Sequence, residues 1–241
     1  MTGIIDIHTH ILPGVDDGAS NIKESLRMTR MAYQQGITDV IATPHYSAGF
    51  RNVSPDHIRA LCREVREKAS AEIKREFRVW PGQELLYSEE ILEMLEQKKL
   101  LTMADSRYVL VEFLPSVPYS YIFRAAKELL FAGYYPIIAH AERYQALRKN
   151  ERIEELKEQG VYIQINFRPV GGKWYNETTR WCRKQFREGK VDFVGTDMHN
   201  ISSRRPETSE ALAWMKRSLD GTYLRDVLRG NVQKLLSDKK I

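Results

Sequence analysis

Seven short apolar runs, each followed by a longer segment of helical period, constrain this chain more than any other feature. The runs cover residues 4–8, 39–43, 77–84, 108–112, 135–140, 161–166 and 193–197. Most are continuously apolar, the pattern of strands covered on both faces. The segments between them carry helix signals. Ser54-Pro55 reads as an N-cap followed by a proline at the first helical position. Ile58, Leu61, Cys62, Val65, Ala69 and Ile73 then form one apolar stripe. Asn21 with Glu24 reads as a capping pair, and Gly36, Gly133 and Gly160 read as helix-ending glycines. Residues 207–241 read as two helices broken near Asp220-Gly221. Strand then helix, seven times over, predicts an α/β fold with a closed or nearly closed parallel barrel. No Pro/Gly/Ser-rich linker interrupts the pattern, so residues 1–241 read as a single domain.

Composition narrows the class. At 42% hydrophobic residues the chain can fill a core, which excludes a disordered protein. Two cysteines exclude a disulfide scaffold, and free Cys62 and Cys182 fit a reducing compartment. No run approaches the roughly 20 apolar residues of a membrane span. The opening residues, Met1 to Asp6, lack the basic start of a signal peptide. These features predict a cytoplasmic protein. The 37 Lys and Arg against 32 Asp and Glu give a net charge of +5, a modest excess that suggests an anionic partner.

In a parallel barrel, function collects at the C-terminal ends of the strands. There the sequence places His8-Thr9-His10, His45, Glu84, Glu112, His140, Asn166 and Asp197-Met198-His199. Five of the six histidines therefore share one rim, and His57, in a first helical turn, reads as solvated surface. A single such histidine is an ordinary loop residue. Five together with carboxylates point to metal binding. Residues i and i+2 of a strand face the same way, so His8 and His10 can reach one ion. Imidazole and carboxylate without thiolate suit Mn, Fe or Zn and disfavour a closed, cysteine-type zinc site. The surplus of donors over one ion's needs argues for two or three ions that share bridging carboxylates. Such centres generate a hydroxide and clamp phosphoryl oxygens. Arg143 and Arg204 lie three residues beyond His140 and five beyond His199, and guanidinium matches phosphate geometry. Spacing alone leaves them equally readable as surface residues.

Other chemistries lack their residues. The sixth position after Cys62 is Lys68 and after Cys182 is Glu188, so no Cys-x5-Arg phosphatase loop exists. There is no Gly-x4-Gly-Lys-Ser/Thr loop, no Gly-x-Gly-x-x-Gly and no Gly-x-Ser-x-Gly elbow.

Asp6-Ile7-His8-Thr9-His10, Val15-Asp16-Asp17-Gly18 and Thr43-Pro44-His45-Tyr46 resemble the polymerase-and-histidinol-phosphatase (PHP) superfamily. The nearer resemblance is to its bacterial manganese-dependent protein tyrosine phosphatases of the CpsB/YwqE type, which act on tyrosine kinases controlling capsule and exopolysaccharide synthesis. It continues through Pro81-Gly82-Gln83-Glu84, Val111-Glu112-Phe113, Ile138-Ala139-His140-Ala141-Glu142-Arg143 and Gly195-Thr196-Asp197-Met198-His199. The resemblance implies a PHP fold, a distorted TIM-like (β/α)7 barrel with a metal cluster at the C-terminal strand ends. It implies three divalent ions, manganese foremost. His8, His10, Glu84 and Asp197 would hold one, and Glu84 would bridge to a second held by Glu112 and His140. Asp17, His45 and His199 would hold the third. Arg143 and Arg204 match the family's phosphate-binding and catalytic arginines. The implied reaction is direct hydrolysis of phosphotyrosine by a metal-bound hydroxide, without a phosphoenzyme. The implied partner is a tyrosine-phosphorylated protein, such as a bacterial tyrosine kinase tail.

Asp16 reads as a residue holding its loop turn. Asn166-Phe167-Arg168-Pro169 has no match in the family pattern, and Arg168 is open to a further phosphate contact. Three alternatives remain. A phosphoesterase acting on a small monoester such as histidinol phosphate would use the same ligands. A nucleic-acid exonuclease is disfavoured by the lack of a polymerase-like remainder and of a basic-aromatic stripe. A non-catalytic metal-binding regulator would require a blocked site.

Overall fold

The computed structural model describes residues 3–50, 52–149 and 151–241. In chain order the elements are β1 (Ile4–Thr9), α1 (Ile22–Gln34), β2 (Ile37–Ala42), β3 (His45–Tyr46), α2 (Pro55–Ile73), β4 (Arg78–Pro81), β5 (Glu84–Leu86) and α3 (Ile91–Glu96). There follow β6 (Tyr108–Glu112), α4 (Tyr119–Phe131), β7 (Tyr135–Ile138), α5 (Arg152–Glu158), β8 (Tyr162–Asn166), α6 (Phe167–Val170) and α7 (Glu177–Arg187). The last are β9 (Phe193–Gly195), α8 (Ser209–Ser218), α9 (Gly221–Arg225) and α10 (Asn231–Leu236).

All strand pairings are parallel. One sheet runs β1-β2-β4 and the other β3-β5-β6-β7-β8-β9. The first and last strands also meet. Asp197 N donates to His8 O at 2.9 Å, His10 N donates to Met198 O at 3.0 Å, and a parallel bridge joins Thr9 to Met198.

One expected strand ends a residue early and another is split. The run 39–43 gives way at Thr43-Pro44, because proline offers no N–H to the ladder. There the Thr43 hydroxyl accepts from Thr9 N at 3.0 Å in place of regular pairing. The run 77–84 breaks at Gly82-Gln83. A Cβ on Gly82 would lie 2.9 Å from Ile41 Cγ2, and the Gln83 amide oxygen accepts from Leu101 N at 2.8 Å. Two other runs stop before their last polar residue. β7 ends at Ile138 and β9 at Gly195, while His140 (φ 32°) and Asp197 (φ 53°) lie beyond them with positive φ.

The helix signals resolve in detail. Asn21 accepts from Glu24 N at 3.1 Å, but the Glu24 carboxylate turns to Ser20 instead of returning to Asn21. Gly36, Gly133 and Gly160 follow helix ends with φ between 86° and 92°, where a side chain would be strained. α2 buries Ile58, Cys62, Val65 and Ala69, and His57 is exposed. The C-terminal stretch holds two helical runs broken at Leu219-Asp220, as expected: α8, and a continuous run over 221–236 made of α9, a π-helical segment and α10. Asp220 caps α9, and a single π-helical stretch, Asp226–Gly230, leads into α10. Val232 and Leu235 of α10 pack into a cluster with Ile5, Ile7, Ile41, Leu110, Ile137 and Phe193. Along one face of β6 the side chains run Tyr108, Leu110, Glu112, and along one face of β8 they run Tyr162, Gln164, Asn166. Each face starts apolar in that cluster and ends polar at the rim. No helix among the described residues is long and apolar enough to cross a membrane.

Candidate metal centre

The polar ends of the strands meet at one place. All nine residues expected as ligands fall into groups whose donor atoms lie within 4.8 Å of one another. The groups are His10 with Asp17, His45 and His199; His8 with Glu84 and His140; His8 with His10 and Asp197; and His45 with Glu84 and Glu112. Glu84, fully buried, is the hub. Its Oε2 lies 2.9 Å from His8 Nε2, 3.2 Å from His10 Nε2 and 3.2 Å from His45 Nδ1, and its Oε1 lies 2.7 Å from His140 Nε2. Glu112 approaches His45 at 3.0 Å, and Asp17 approaches His199 at 3.2 Å. The groups share His8, His10, His45 and Glu84, so the donors form one continuous cluster.

The cluster tests its own suitability for cations. Glu84 Oε2 and His199 Nε2 are buried and lack a well-aligned hydrogen bond, with only ionisable neighbours 2.9–3.2 Å away. A coordinated ion would satisfy such atoms, whose imperfect pairing is costly in a buried site. The donors are nitrogen and oxygen only, a set that fits divalent Mn, Fe or Zn.

In four of the five histidines the outer ring nitrogen is already engaged, which fixes those imidazoles. His8 Nδ1 meets Gln164 Oε1 at 3.2 Å, His10 Nδ1 meets Asp16 Oδ2 at 2.7 Å, and His199 Nδ1 meets the Asp197 carbonyl at 3.0 Å. His140 Nδ1 lies 3.2 Å from the Tyr144 hydroxyl. In each case Nε2 is left facing the cluster, the arrangement typical of metal-bound histidine. Sequence reasoning missed Gln164 and Tyr144. The signal for Gln164 was its place two residues before Asn166 on the same strand face. Asp6 was missed too: its carboxylate ties His8 N to Thr196 N and Oγ1, joining β1 to the turn after β9. The β1–β2 register slips by one residue between Asp6 and Thr9, a bulge that spans His8. Bulges re-aim side chains beside functional sites.

Charge follows geometry. Burial alone would lower the His10 imidazole, but hydrogen bonds with Asp16 and Glu84 outweigh it and raise it to about 10. The Glu84 charge and hydrogen bonds with Glu112 and Glu84 similarly overcome burial and raise His140 to about 9. Burial would raise the Glu84 and Asp197 carboxyls. Neighbouring charges, from His8 and His140 for Glu84 and from His8 and Arg143 for Asp197, hold both well below the ordinary range.

Arg143 and Arg204 stand at the mouth of the cluster. Arg143 bonds Asp197 Oδ2, and Arg204 reaches Asp197 Oδ1 at 2.8 Å and Asp17 Oδ2 at 3.5 Å. Both line a pocket of about 540 Å³ that also takes in Asp197, Asn166, Lys173 and Tyr175. Asp16 accepts from Gly18 N at 2.9 Å, as a loop-holding residue should, and from His45 N at 3.2 Å. Cys62 and Cys182 are buried, on α2 and α7.

A parallel α/β scaffold with imidazoles and carboxylates converging at its strand ends defines a class of proteins built to hold divalent cations. Within that class the chain belongs to the CpsB/CapC family of capsular polysaccharide synthesis, whose model matches residues 4–237. The tyrosine-protein phosphatase CpsB of Streptococcus pneumoniae is 34% identical over 244 residues, spanning 99% of this chain and 100% of that protein. A solved chain from the structures of YwqE of Bacillus subtilis and CpsB of Streptococcus pneumoniae, described as unique metal-dependent tyrosine phosphatases, superposes with a TM-score of 0.88. The two chains are 32% identical, with 99% of this chain and 96% of that one covered. Dihydropyrimidinase from Brevibacillus agri shares the fold alone, at a TM-score of 0.61 and 16% identity over 99% of this chain and 71% of that one. The architecture is thus an α/β one akin to the TIM-barrel amidohydrolases.

Proposed function

We propose that this chain is a metal-dependent protein tyrosine phosphatase that acts on the phosphorylated tail of a bacterial tyrosine kinase in capsule or exopolysaccharide synthesis. The observation that carries the reading is the placement of Arg143 and Arg204. Both guanidinium groups bond one carboxylate of the cation-binding cluster, at the mouth of an open pocket.

In this reading His8, His10, Glu84 and Asp197 hold one ion, and Glu84, Glu112 and His140 a second. Asp17, His45 and His199 hold the third, and manganese is the proposed metal. Bound there, divalent ions supply Lewis acidity and a water of lowered pKa. Arg143 and Arg204 bind the phosphoryl oxygens and offset the charge that grows on them during transfer. Gln164, Asp16 and Tyr144 keep the imidazoles in the tautomer that presents Nε2. The aryl group occupies the pocket toward Lys173 and Tyr175. A tyrosinate, with a parent pKa of about 10, leaves without a strong acid. The seven strand positions are proposed to form one distorted (β/α)7 barrel and a single domain over residues 1–241, supported by the hydrogen bonds between the end of β1 and the segment just after β9. A cytoplasmic place of action belongs to the same proposal, supported by two free, buried cysteines.

The test compares phosphotyrosine peptide with histidinol phosphate as substrates of the Mn²⁺-loaded protein. A higher kcat/KM on the peptide is expected. A preference for histidinol phosphate would move the chain to the small-monoester alternative.

A further inference from the structure

We infer that Arg168 is a positioning residue, whose guanidinium clamps the loop that carries Arg204 and so sets where that phosphate-binding side chain sits. The inference rests on reading Arg204 as a phosphate ligand. Arg168 is the second residue of α6, which follows β8 without an intervening loop. Its Nη1 donates to the Ser203 carbonyl at 2.7 Å and its Nη2 to the Arg205 carbonyl at 3.4 Å. Those two carbonyls flank Arg204. The remaining backbone groups of Arg204 are held from within the loop. Its N–H donates to Asn200 Oδ1 at 2.9 Å, and its carbonyl accepts from His199 N at 2.9 Å.

The Arg204 backbone is thus fixed on both sides, and its side chain is aimed at Asp197 and Asp17. Arg168 lines the same pocket, but both of its Nη atoms are turned to these carbonyls, which favours a holding role over a direct phosphate contact. Charge-assisted bonds of this kind are stronger than neutral ones, so they hold the loop firmly. The remaining partner, Glu207 at 3.7 Å, forms a solvent-exposed pair and adds little. Asn166, two residues earlier, donates to Asp197 Oδ2 at 3.1 Å. The β8–α6 junction therefore orients Asp197 directly and Arg204 through Arg168.

A double-mutant cycle on Mn²⁺-loaded protein tests this with an aryl phosphate substrate, reading kcat, KM, bound manganese and melting temperature. Arg168→Met should lower kcat/KM by about ten- to a hundredfold, the scale of a sub-ångström to 1 Å misplacement of a transition-state contact. Manganese content and melting temperature should stay at their wild-type values. In an Arg204→Ala background the same change should cost less than about twofold, because residues that act through one another are not additive. Arg168→Lys, which keeps one donor for the Ser203 carbonyl, should recover part of the loss. Equal losses in both backgrounds would make Arg168 a direct phosphate contact and overturn the inference. So would full turnover by Arg168→Met, or a loss of manganese that accounts for its defect. Full turnover by Arg204→Ala alone would instead remove the underlying reading of Arg204, a distinguishable failure.

Discussion

Asp16 shows how much one side chain can carry. The sequence assigned it to a loop turn, and its bond to Gly18 N does hold that turn. Its other oxygen fixes His10 Nδ1 and takes His45 N, so it also orients two proposed ligands. Asp16→Ala should weaken Mn²⁺ binding by about ten- to a hundredfold, the usual cost of losing an outer partner of a ligating histidine, as read by metal titration. Unchanged affinity would confine Asp16 to the turn. The imidazoles also set a pH dependence. His10 is raised to about 10 and His140 to about 9, both from an ordinary 6.5. Without metal, such groups keep their protons through neutral pH. Their contribution to stability is complete below pH 6.5 and is lost as pH rises through 9 and then 10. Ligation requires the neutral ring, so metal binding must expel these protons. Calorimetry at neutral pH in buffers of different ionisation heat should record proton release on Mn²⁺ binding, and affinity should rise with pH. Binding without proton release would contradict the assignment.

At the scale of elements, β9 passes so close to β1 that only a glycine fits. A Cβ on Gly195 would lie 2.6 Å from His8 Cβ and 3.0 Å from Gln164 Nε2. Gly195→Ala should cost about 1–3 kcal/mol, the usual price of overpacking, and lower manganese content by displacing His8. Denaturant unfolding and metal analysis read both effects. Such elements were legible in the sequence to differing degrees. Runs such as 108–112 stood out because continuous apolar residues end in one polar residue. The break at Gly82 was hidden, because it depends on Ile41 and Leu101, which are distant in sequence, whereas the proline that ends the run 39–43 stands in the sequence itself. α3 and α6 carry too few residues for a helical period to show. The rim's histidines and carboxylates stood out by residue type. Gln164 and Tyr144 did not, since their role is defined only by the imidazole each one touches.

At the scale of the molecule, the charge balance takes on a direction. Asp17, Glu84, Glu112 and Asp197 all lie in the cluster, so bound cations would offset them and leave the remainder more basic than the net +5. Arg143, Arg204 and Lys173 line one pocket, so under the proposed function the basic side would face substrate. The central claim is that this rim hydrolyses phosphotyrosine with divalent ions. Its most direct test is phosphate release from a tyrosine-phosphorylated kinase tail by protein stripped with chelator and then titrated with Mn²⁺. Activity should vanish on stripping and return in step with bound manganese. Full activity after exhaustive stripping, with no metal left in the protein, would contradict the account.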